Sequence, residues 1–153
     1  LMKIYTNQLE DAQKQLSDEA LDLLKMATLC CDATIIKTED GYEQLGDPTE
    51  TAILMNADLH HMTKEQLNRT YPRLSSIPFD SDRKLMTTIH QYEGKKRVIV
   101  KGAFDVLSKR CIKGDIEAAK EINEGSFLPQ GYLINKTLSF LFQYNTQPYG
   151  IPT

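Results

Sequence analysis

Residues 85–100, LMTTIHQYEGKKRVIV, decide the fold class that the sequence predicts. Two runs rich in β-branched residues, Leu85–Gln91 and Arg97–Val100, flank the turn signal Glu93-Gly94, and this pattern is typical of an antiparallel hairpin. Another such run, Leu74–Ile77, comes shortly before them and predicts a further strand. The middle of the chain is therefore predicted to form an antiparallel sheet.

Helices are predicted on both sides of this sheet. Ser17 is expected to cap a helix over Asp18–Cys31, whose apolar residues recur at helical spacing. Asp47-Pro48-Thr49-Glu50 predicts the start of a helix that continues towards Ala57. Short strands are predicted at Met2–Tyr5 and Tyr42–Leu45. Further helices are predicted at Lys64–Asn68, through Val106 and Leu107 with an end near Cys111, and over Asp115–Glu124. Because strands and helices mix without βαβ alternation, the expected fold is α+β, an antiparallel twisted sheet flanked by helices.

Composition excludes several classes of function. The chain has 153 residues and a net charge of −3, which suits one soluble domain and argues against non-specific nucleic-acid binding. Its three cysteines have neither disulfide nor zinc spacing, so reduced, partly buried thiols are expected. The three histidines also lack metal-ligand spacing, and no phosphate-binding P-loop motif is present. No apolar run approaches the roughly 20 residues that span a bilayer.

The segment GDPTETA, residues 46–52, is the first of three that carry chemistry. A capping box would account for Asp47 and Glu50, with Pro48 at the first helical position. The alternative is a carboxylate at a helix start that accepts a hydrogen bond from an amino group such as that of adenine. Taken alone, the segment leaves both interpretations open.

The second segment is PFDSDRKLMT, residues 78–87. A polar turn between two strands accounts for its acidic residues, and packing in the core is the usual role of an aromatic such as Phe79. Alternatively, Phe79 stacks on a planar base, a contact worth about 1–3 kcal/mol, while Arg83 or Lys84 meets phosphate charge. Taken alone, the pattern favours Phe79 as a core residue.

The third segment is VIVKGA, residues 98–103. Lys101 ends an apolar strand just before Gly102, a residue that permits close backbone approach. Such a lysine usually extends along apolar surface to reach water. Alternatively, its ammonium group lies at the floor of a nucleotide pocket. The three segments are weak singly and specific in their order and combination.

Together the three segments resemble the nucleotide-binding domain of P-type cation-transporting ATPases, especially the calcium-pump-like branch. Residues 46–52 are similar to that family's GDPTE.AL signature, residues 78–87 to its PF.S.RK.M signature, and Lys101–Ala103 to its KGA signature. Residues 23–32 resemble the stretch that precedes the first signature. The resemblance spans about Met2–Glu124.

The resemblance implies an adenine pocket between Phe79 and Lys101, with Phe79 stacked on the ring. It also implies that Glu50 approaches the amino edge of adenine and that Lys84 faces the nucleotide near its phosphates. The nucleotide-binding residues implied are Glu50, Phe79, Arg83, Lys84, Lys101, Gly102 and Ala103. We expect Phe79→Ala and Lys101→Glu each to weaken ATP binding with little loss of fold.

The sequence departs from the family pattern at two places. Some calcium pumps carry an arginine two residues after the stacking phenylalanine, where this chain has Ser81, so a phosphate contact there is lost or supplied by Arg83. The arginine that the family carries after its QG pair is not in place after Gln130-Gly131. We therefore expect residues 1–124 to form the nucleotide-binding domain and residues 125–153 a divergent tail that completes it or is appended to it.

The function implied by the resemblance is the presentation of ATP, as Mg-ATP in the parent pump, to an aspartate in a separate phosphorylation domain. The chain contains no DKTGT segment, so no catalytic residue is assigned and no ATP hydrolysis by the chain alone is expected. The implied partners are the phosphorylation and actuator domains of a pump, on the cytoplasmic side of its membrane. A stand-alone nucleotide-sensing or protein-interaction module is the alternative, and a structural domain whose signatures only form caps and turns is a third. The sequence does not indicate the transported ion.

Overall fold

The computed structural model describes residues 16–111, positions 116, 117 and 120, and the strand at residues 140–145. The chain divides into two compact units, residues 1–73 and residues 74–153. The predicted strand Met2–Tyr5 and most of the predicted helix Asp115–Glu124 lie outside the described residues. Within the described part, no helix combines the length and apolarity that a bilayer crossing requires.

The described part of the first unit begins with helix α1, Asp18–Leu29. The Ser17 hydroxyl accepts a hydrogen bond from the Ala20 amide at 3.2 Å, and two acidic residues in the first turn suit the helix dipole. The predicted N-cap is therefore confirmed. The helix ends two residues earlier than predicted, at Leu29, and Cys30 forms its C-cap.

A two-stranded antiparallel hairpin follows, with β1 at Thr34–Thr38 and β2 at Gly41–Leu45. The sequence predicted β2 but not β1. Five residues ending in a polar Lys-Thr pair give too short a pattern to distinguish a strand from a loop. The connection turns at Gly41, whose φ of 137° is a backbone conformation that glycine adopts readily.

Two helices follow the hairpin in the first unit: α2, Pro48–Leu59, and α3, Lys64–Thr70. The Asp47 carboxylate accepts from the amides of Thr49 and Glu50 at 2.8 and 3.2 Å, which confirms the predicted N-cap. Helix α3 starts with a capping box between Thr63 and Gln66, a pairing that the sequence analysis did not identify.

The buried core of this unit contains a cluster of Cys31, Ala33 and Leu54, against which Ile35 and Ile53 pack. Cys30 and Cys31 are both fully buried, whereas the sequence predicted partly buried thiols. The cluster joins α2, the hairpin and the segment after α1, so burial of apolar surface fixes the position of that segment.

The second unit is built on a sheet of four strands in the order β3-β4-β5-β6. The β4–β5 and β5–β6 pairs are antiparallel, so the predicted α+β class with an antiparallel sheet is confirmed. A short helix α4, Phe104–Leu107, and a 3₁₀ turn, Ser108–Arg110, follow β5. The strands are β3, Arg73–Asp80; β4, Leu85–Tyr92; β5, Lys95–Gly102; and β6, Phe140–Asn145.

The hairpin that the sequence predicted is the β4–β5 pair. Its turn residues Glu93 and Gly94 have φ values of 49° and 77°, so the turn twists in the sense that suits two antiparallel strands. Strand β6 was not predicted, and it lies in the region expected to be a divergent tail.

The register of β4 and β5 assigns their side chains to two faces. Directly opposed residues share a face, and alternate residues along a strand share one. Met86 lies opposite Lys101, whereas the next pair is Thr87 opposite Val100. The Met86–Lys101 face also carries Thr88, which is completely buried.

Candidate functional site

Two of the three signature segments meet at one end of the sheet in the second unit. Phe79 is next to the last residue of β3, and the amide of Lys84 donates to the Asp80 carbonyl at 2.7 Å. Leu85, the first residue of β4, pairs with Gly102, the last residue of β5. The structure therefore brings together the strand ends that carry six of the seven predicted nucleotide-binding residues.

The turn between β3 and β4 is organised by Asp80. One carboxylate oxygen of Asp80 accepts from the amides of Asp82 and Arg83 at 2.9 and 2.7 Å. Lys84 then adopts a left-handed conformation with a φ of 55°. The interpretation of the acidic residues as a polar turn is confirmed for Asp80, and the turn sets where β4 begins.

Phe79 is 61% exposed. The interpretation of Phe79 as a core residue is therefore wrong. The sequence favoured burial because apolar aromatics are mostly buried, but the whole of β3 after its first residue is exposed. An aromatic ring open to solvent at a strand end can accept a planar ligand.

Lys101 is the buried cation of this region, with only 7% of its surface exposed. Its cross-strand neighbour Met86 is also buried. The usual interpretation, a lysine that extends along the surface to water, does not hold at this position. Burial of a charged lysine costs free energy unless polar or charged partners offset the loss of hydration. Lys101 is therefore a candidate functional cation on this face of the sheet.

Arg83 is directed to the other face. Its guanidinium group donates to the Thr87 hydroxyl at 3.3 Å and to the Leu85 carbonyl at 3.4 Å. Since Thr87 and Met86 are adjacent in β4, the Thr87 side chain lies on the face opposite Lys101. The structure therefore does not bring the guanidinium of Arg83 together with Lys101.

The exposed side chain of Lys84 has an acidic neighbour. Its ammonium group is 3.5 Å from the Asp105 carboxylate in α4, and both side chains are more than half exposed. An exposed pair of this kind holds its partners weakly, so the lysine can exchange one anion for another. Sequence reasoning missed Asp105, although its position four residues after Lys101 was visible.

Gly102 has a structural reason to lack a side chain. A Cβ atom at this position would lie 2.1 Å from the Lys84 carbonyl oxygen and 2.7 Å from a Leu85 methyl carbon. The amide of Ala103 donates to the same carbonyl at 3.1 Å. Gly102 and Ala103 therefore join the end of β5 to the backbone of Lys84, the residue just before β4.

Glu50 belongs to the first unit, at the third position of α2. Its Oε2 atom accepts from the amides of Asp32 and Ala33 at 2.7 and 2.8 Å. A capping box would instead direct the Glu50 side chain back to the N-cap residue Asp47. Asp47 therefore caps this helix by itself, and Glu50 connects α2 to the segment after α1.

Three further residues surround the segment Asp32–Ala33. A Cβ on Gly46 would lie 2.9 Å from the Ala33 Cα, so the first residue of the GDPTETA segment allows close approach to Ala33. Lys64 and Arg73 bind the segment through carbonyl oxygens and the Asp32 carboxylate. No role of Lys64 or Arg73 is predicted from the sequence, because neither belongs to a signature and their contacts join residues more than 30 positions apart.

The comparisons with known proteins agree with this architecture. The family model described as "P-type ATPase, cytoplasmic domain N" matches residues 19–125. The chain belongs to this family. It is 36% identical, over 84% of its length, to calcium-transporting ATPase 1 of Bacillus cereus, of which it covers 15%. It is 44% identical, over 58% of its length, to calcium-transporting ATPase 1 of Lactococcus lactis, of which it covers 10%.

The chain is also similar to a P-type ATPase that is named for a different transport function. The chain is 35% identical, over 66% of its length, to the sodium/potassium exporting P-type ATPase cta3 of Schizosaccharomyces pombe, of which it covers 10%. This P-type ATPase N domain therefore spans a small part of the relatives it matches. The family match includes all seven residues predicted to bind nucleotide.

The N domain has a separate cleft of about 470 Å³ in its first unit. Ile35 and Leu54 contribute apolar surface to it, and Lys37, Asp58 and Lys64 contribute charge. None of the seven predicted nucleotide-binding residues lines this cleft. The described residues contain no group of three histidine, cysteine or acidic side chains placed to hold a metal ion.

Charged groups at this cleft have shifted pKa values. A hydrogen bond from the Tyr42 hydroxyl at 2.5 Å, assisted by the Lys37 ammonium at 3.1 Å, lowers the pKa of Asp58 below its ordinary value. The pKa of Lys64 is lowered, first because burial disfavours its charged form and then because Arg73 is near.

Proposed function

We propose that this N domain binds ATP and presents it to the phosphorylation domain of a cation pump. The proposal assigns the base to Phe79 and Lys101 and the phosphates to Lys84. Family membership supports nucleotide binding in general, and the chemistry of these three side chains supports ATP in particular.

The observation that carries the proposal is the exposure of Phe79. A phenylalanine that is 61% exposed contributes little to the core, so packing does not account for its presence. It stands at a strand end, next to a turn whose backbone is fixed by the Asp80 carboxylate. An exposed ring at this position offers a stacking surface for the adenine base.

Two lysines near this end of the sheet suit the base and the phosphates of the ligand. Lys101 is held in the strand directly beside Gly102, and the Lys84 carbonyl is bonded to the next residue, Ala103. Lys84 then offers an exposed ammonium group to phosphate oxygens. For Arg83, which contacts Thr87 on the other face, we propose a supporting role in β4 and no direct phosphate contact.

For Glu50 we propose a hydrogen bond from the amino group of adenine. The two backbone amides that Glu50 binds use one oxygen of its carboxylate, and a carboxylate has about four acceptor positions. We propose that Glu50 keeps both of these contacts when it binds the base.

The parent protein proposed for this domain is a calcium-pump-like P-type ATPase. In such a pump, the bound Mg-ATP would transfer its terminal phosphoryl group to an aspartate outside this chain. The phosphorylation and actuator domains are then its partners. Two of the relatives are calcium-transporting ATPases, and this similarity favours calcium as the transported ion.

Titration of the chain with ATP, followed by calorimetry and by amide NMR shifts, tests the proposal. We expect shifts around Phe79 and a Phe79→Ala variant that binds about 5- to 150-fold more weakly, the equivalent of a stacking contact of about 1–3 kcal/mol. Leu74→Ala is the matched control, because Leu74 is an exposed apolar residue at the other end of the same strand. Its affinity for ATP should equal that of the wild type.

Unchanged shifts at millimolar ATP would exclude ATP binding by this chain. Equal loss of affinity in the Phe79→Ala and Leu74→Ala variants would exclude the proposed stacking position. A pure preparation of the chain should also show no ATP turnover, because the proposal places the phosphate acceptor in another domain.

A further inference from the structure

The segment Asp32–Ala33 is held on one side by a single oxygen atom. The amides of both residues donate to Oε2 of Glu50, at 2.7 and 2.8 Å. Two short bonds to consecutive amides fix the Glu50 carboxylate against this segment. The direction of the Glu50 side chain therefore depends on where the backbone of Asp32 and Ala33 lies.

A single ammonium group holds the other side of the segment. Lys64 Nζ donates to the carbonyl oxygens of Asp32 and Ala33 at 3.1 and 2.7 Å. The amides of this two-residue segment thus bind one carboxylate and its carbonyls bind one ammonium group. Loss of either charged group leaves polar backbone atoms, buried at Ala33, without that partner.

Arg73 fixes the same segment from a third element. Its guanidinium group is 2.6 Å from the Asp32 carboxylate and donates to the carbonyls of Leu29 and Cys31 at 2.8 Å each. These carbonyls belong to the end of α1 and the residues after it, where helices leave acceptors without intrahelical partners. Arg73 therefore fixes the path of the chain from α1 into Asp32.

We infer that Lys64 and Arg73 are positioning residues for Glu50 and that they set the preference of this domain for adenine. The inference rests on the proposed hydrogen bond between Glu50 and the adenine amino group. Lys64 and Arg73 do not touch the ligand in this mechanism. They hold the Asp32–Ala33 amides, the amides hold the Glu50 carboxylate, and the carboxylate recognises the base.

The physical reason is the freedom of a glutamate side chain. An unconstrained glutamate populates many rotamers, and ordering it costs side-chain conformational entropy. A site that orders the carboxylate in advance does not lose this free energy when the ligand binds. Recognition also requires the recognising group to be held within about 0.5 Å of its productive position. A flexible Asp32–Ala33 segment would not provide that precision.

The test compares ATP with inosine triphosphate, which has a carbonyl oxygen where adenine has its amino group. Both ligands have the same sugar and phosphates, and both bases stack. The ratio of their dissociation constants therefore reports the contact with the amino group. Because both constants are measured on the same preparation, a variant that is only less stable leaves the ratio unchanged.

The wild-type chain should bind ATP about tenfold or more tightly than inosine triphosphate, as expected for a hydrogen bond to a charged group. Glu50→Gln provides the reference for loss of the contact. The side-chain oxygen of the glutamine can still accept from the Asp32 and Ala33 amides. An amide N–H₂ group, which donates hydrogen bonds, then stands in place of the second carboxylate oxygen, which accepts them. The ratio should then fall to about one or invert.

Lys64→Met and Arg73→Lys test the inference itself. Methionine keeps the apolar stem of Lys64 without its charge, and lysine keeps the charge of Arg73 without the fork that reaches two carbonyls and a carboxylate. We expect each variant to lose at least about threefold of the ATP preference, part of the loss seen in Glu50→Gln. Lys95→Met, at the exposed tip of the β4–β5 hairpin, is the control for the change in charge and should keep the wild-type ratio.

Each result has a distinct meaning. A wild-type chain that does not bind ATP contradicts the proposed function. A wild-type chain that binds both nucleotides equally contradicts the Glu50 contact and, with it, the inference. If Glu50→Gln loses the preference while folded Lys64→Met or Arg73→Lys keeps the full wild-type ratio, Glu50 recognises adenine without these residues and the inference is wrong. Two independent variants are used so that a folding defect in one still leaves the other to decide.

Discussion

Gly102 lies so close to Lys84 that a Cβ atom on Gly102 would come within 2.1 Å of the Lys84 carbonyl oxygen. The contact joins the last residue of β5 to the residue before β4. It places the backbone of the KGA segment against the backbone of the segment that carries Lys84. The glycine is therefore needed for β5 to approach the start of β4 at this end of the sheet, whether or not a ligand is present.

Gly102→Ala is accordingly expected to destabilise the chain. The overlap involves a backbone carbonyl that cannot rotate away, so the cost should be about 1–3 kcal/mol or more, measured as a lower midpoint in urea unfolding. Gly94→Asn is the control, because its added Cβ meets nothing within 4 Å and asparagine tolerates the positive φ there. Equal midpoints for the two variants would contradict the close contact.

Substitutions of Lys101 should separate binding from stability. Lys101→Met should weaken ATP binding with a modest change in melting temperature, because methionine suits the buried position opposite Met86. The expectation of little loss of fold does not extend to Lys101→Glu, which would bury a carboxylate and should lower the melting temperature strongly. Equal melting temperatures for the two variants would contradict the burial of this side chain.

Asp105→Asn should strengthen ATP binding. The Asp105 carboxylate is 3.5 Å from the Lys84 ammonium and competes with phosphate for it. Because both groups are exposed, the gain should be about two- to fivefold at low salt and should shrink as salt screens the charges. Calorimetric titration at two salt concentrations measures it. Asp82→Asn, in the preceding turn, is the control for the change in charge. A gain that is independent of salt would argue against competition for Lys84.

The Tyr42–Asp58 contact should make stability depend on pH. The pKa of Asp58 is lowered, first by the Tyr42 hydrogen bond, so its stabilising contribution is present above the ordinary value of 3.8 and is lost as pH falls through the lower folded-state pKa. Lys37 has a raised pKa because of its hydrogen bond with Asp58, so its contribution is lost only as pH rises through a folded-state value above 10.5.

Melting curves of the wild type and Asp58→Asn measure this dependence. The difference in melting temperature should be largest near neutral pH and should close as pH falls from 3.8 through the lowered folded-state pKa of Asp58. Glu65→Gln removes a carboxylate from a pair that is 76% exposed on both sides and should show a small difference at every pH. An Asp58→Asn difference that is the same at all pH values would contradict the ionic role of Asp58.

The sequence alone determined the elements whose signals are local. The caps at Ser17 and Asp47 act within one helical turn, and the strands around Glu93-Gly94 alternate over a few residues. The order of three short segments was also sufficient to identify the family. Such features are visible because the residues that cause them are neighbours in the chain.

Only the tertiary structure decided the burial and direction of the side chains in those segments. Phe79 is exposed and Lys101 is buried, the reverse of what their residue types predict, because burial depends on which elements cover a strand. Arg83 and Lys101 lie on opposite faces because the register of β4 and β5 fixes them there. Glu50 binds residues 17 and 18 positions away, and contacts over such separations are set by packing, which local sequence patterns do not encode.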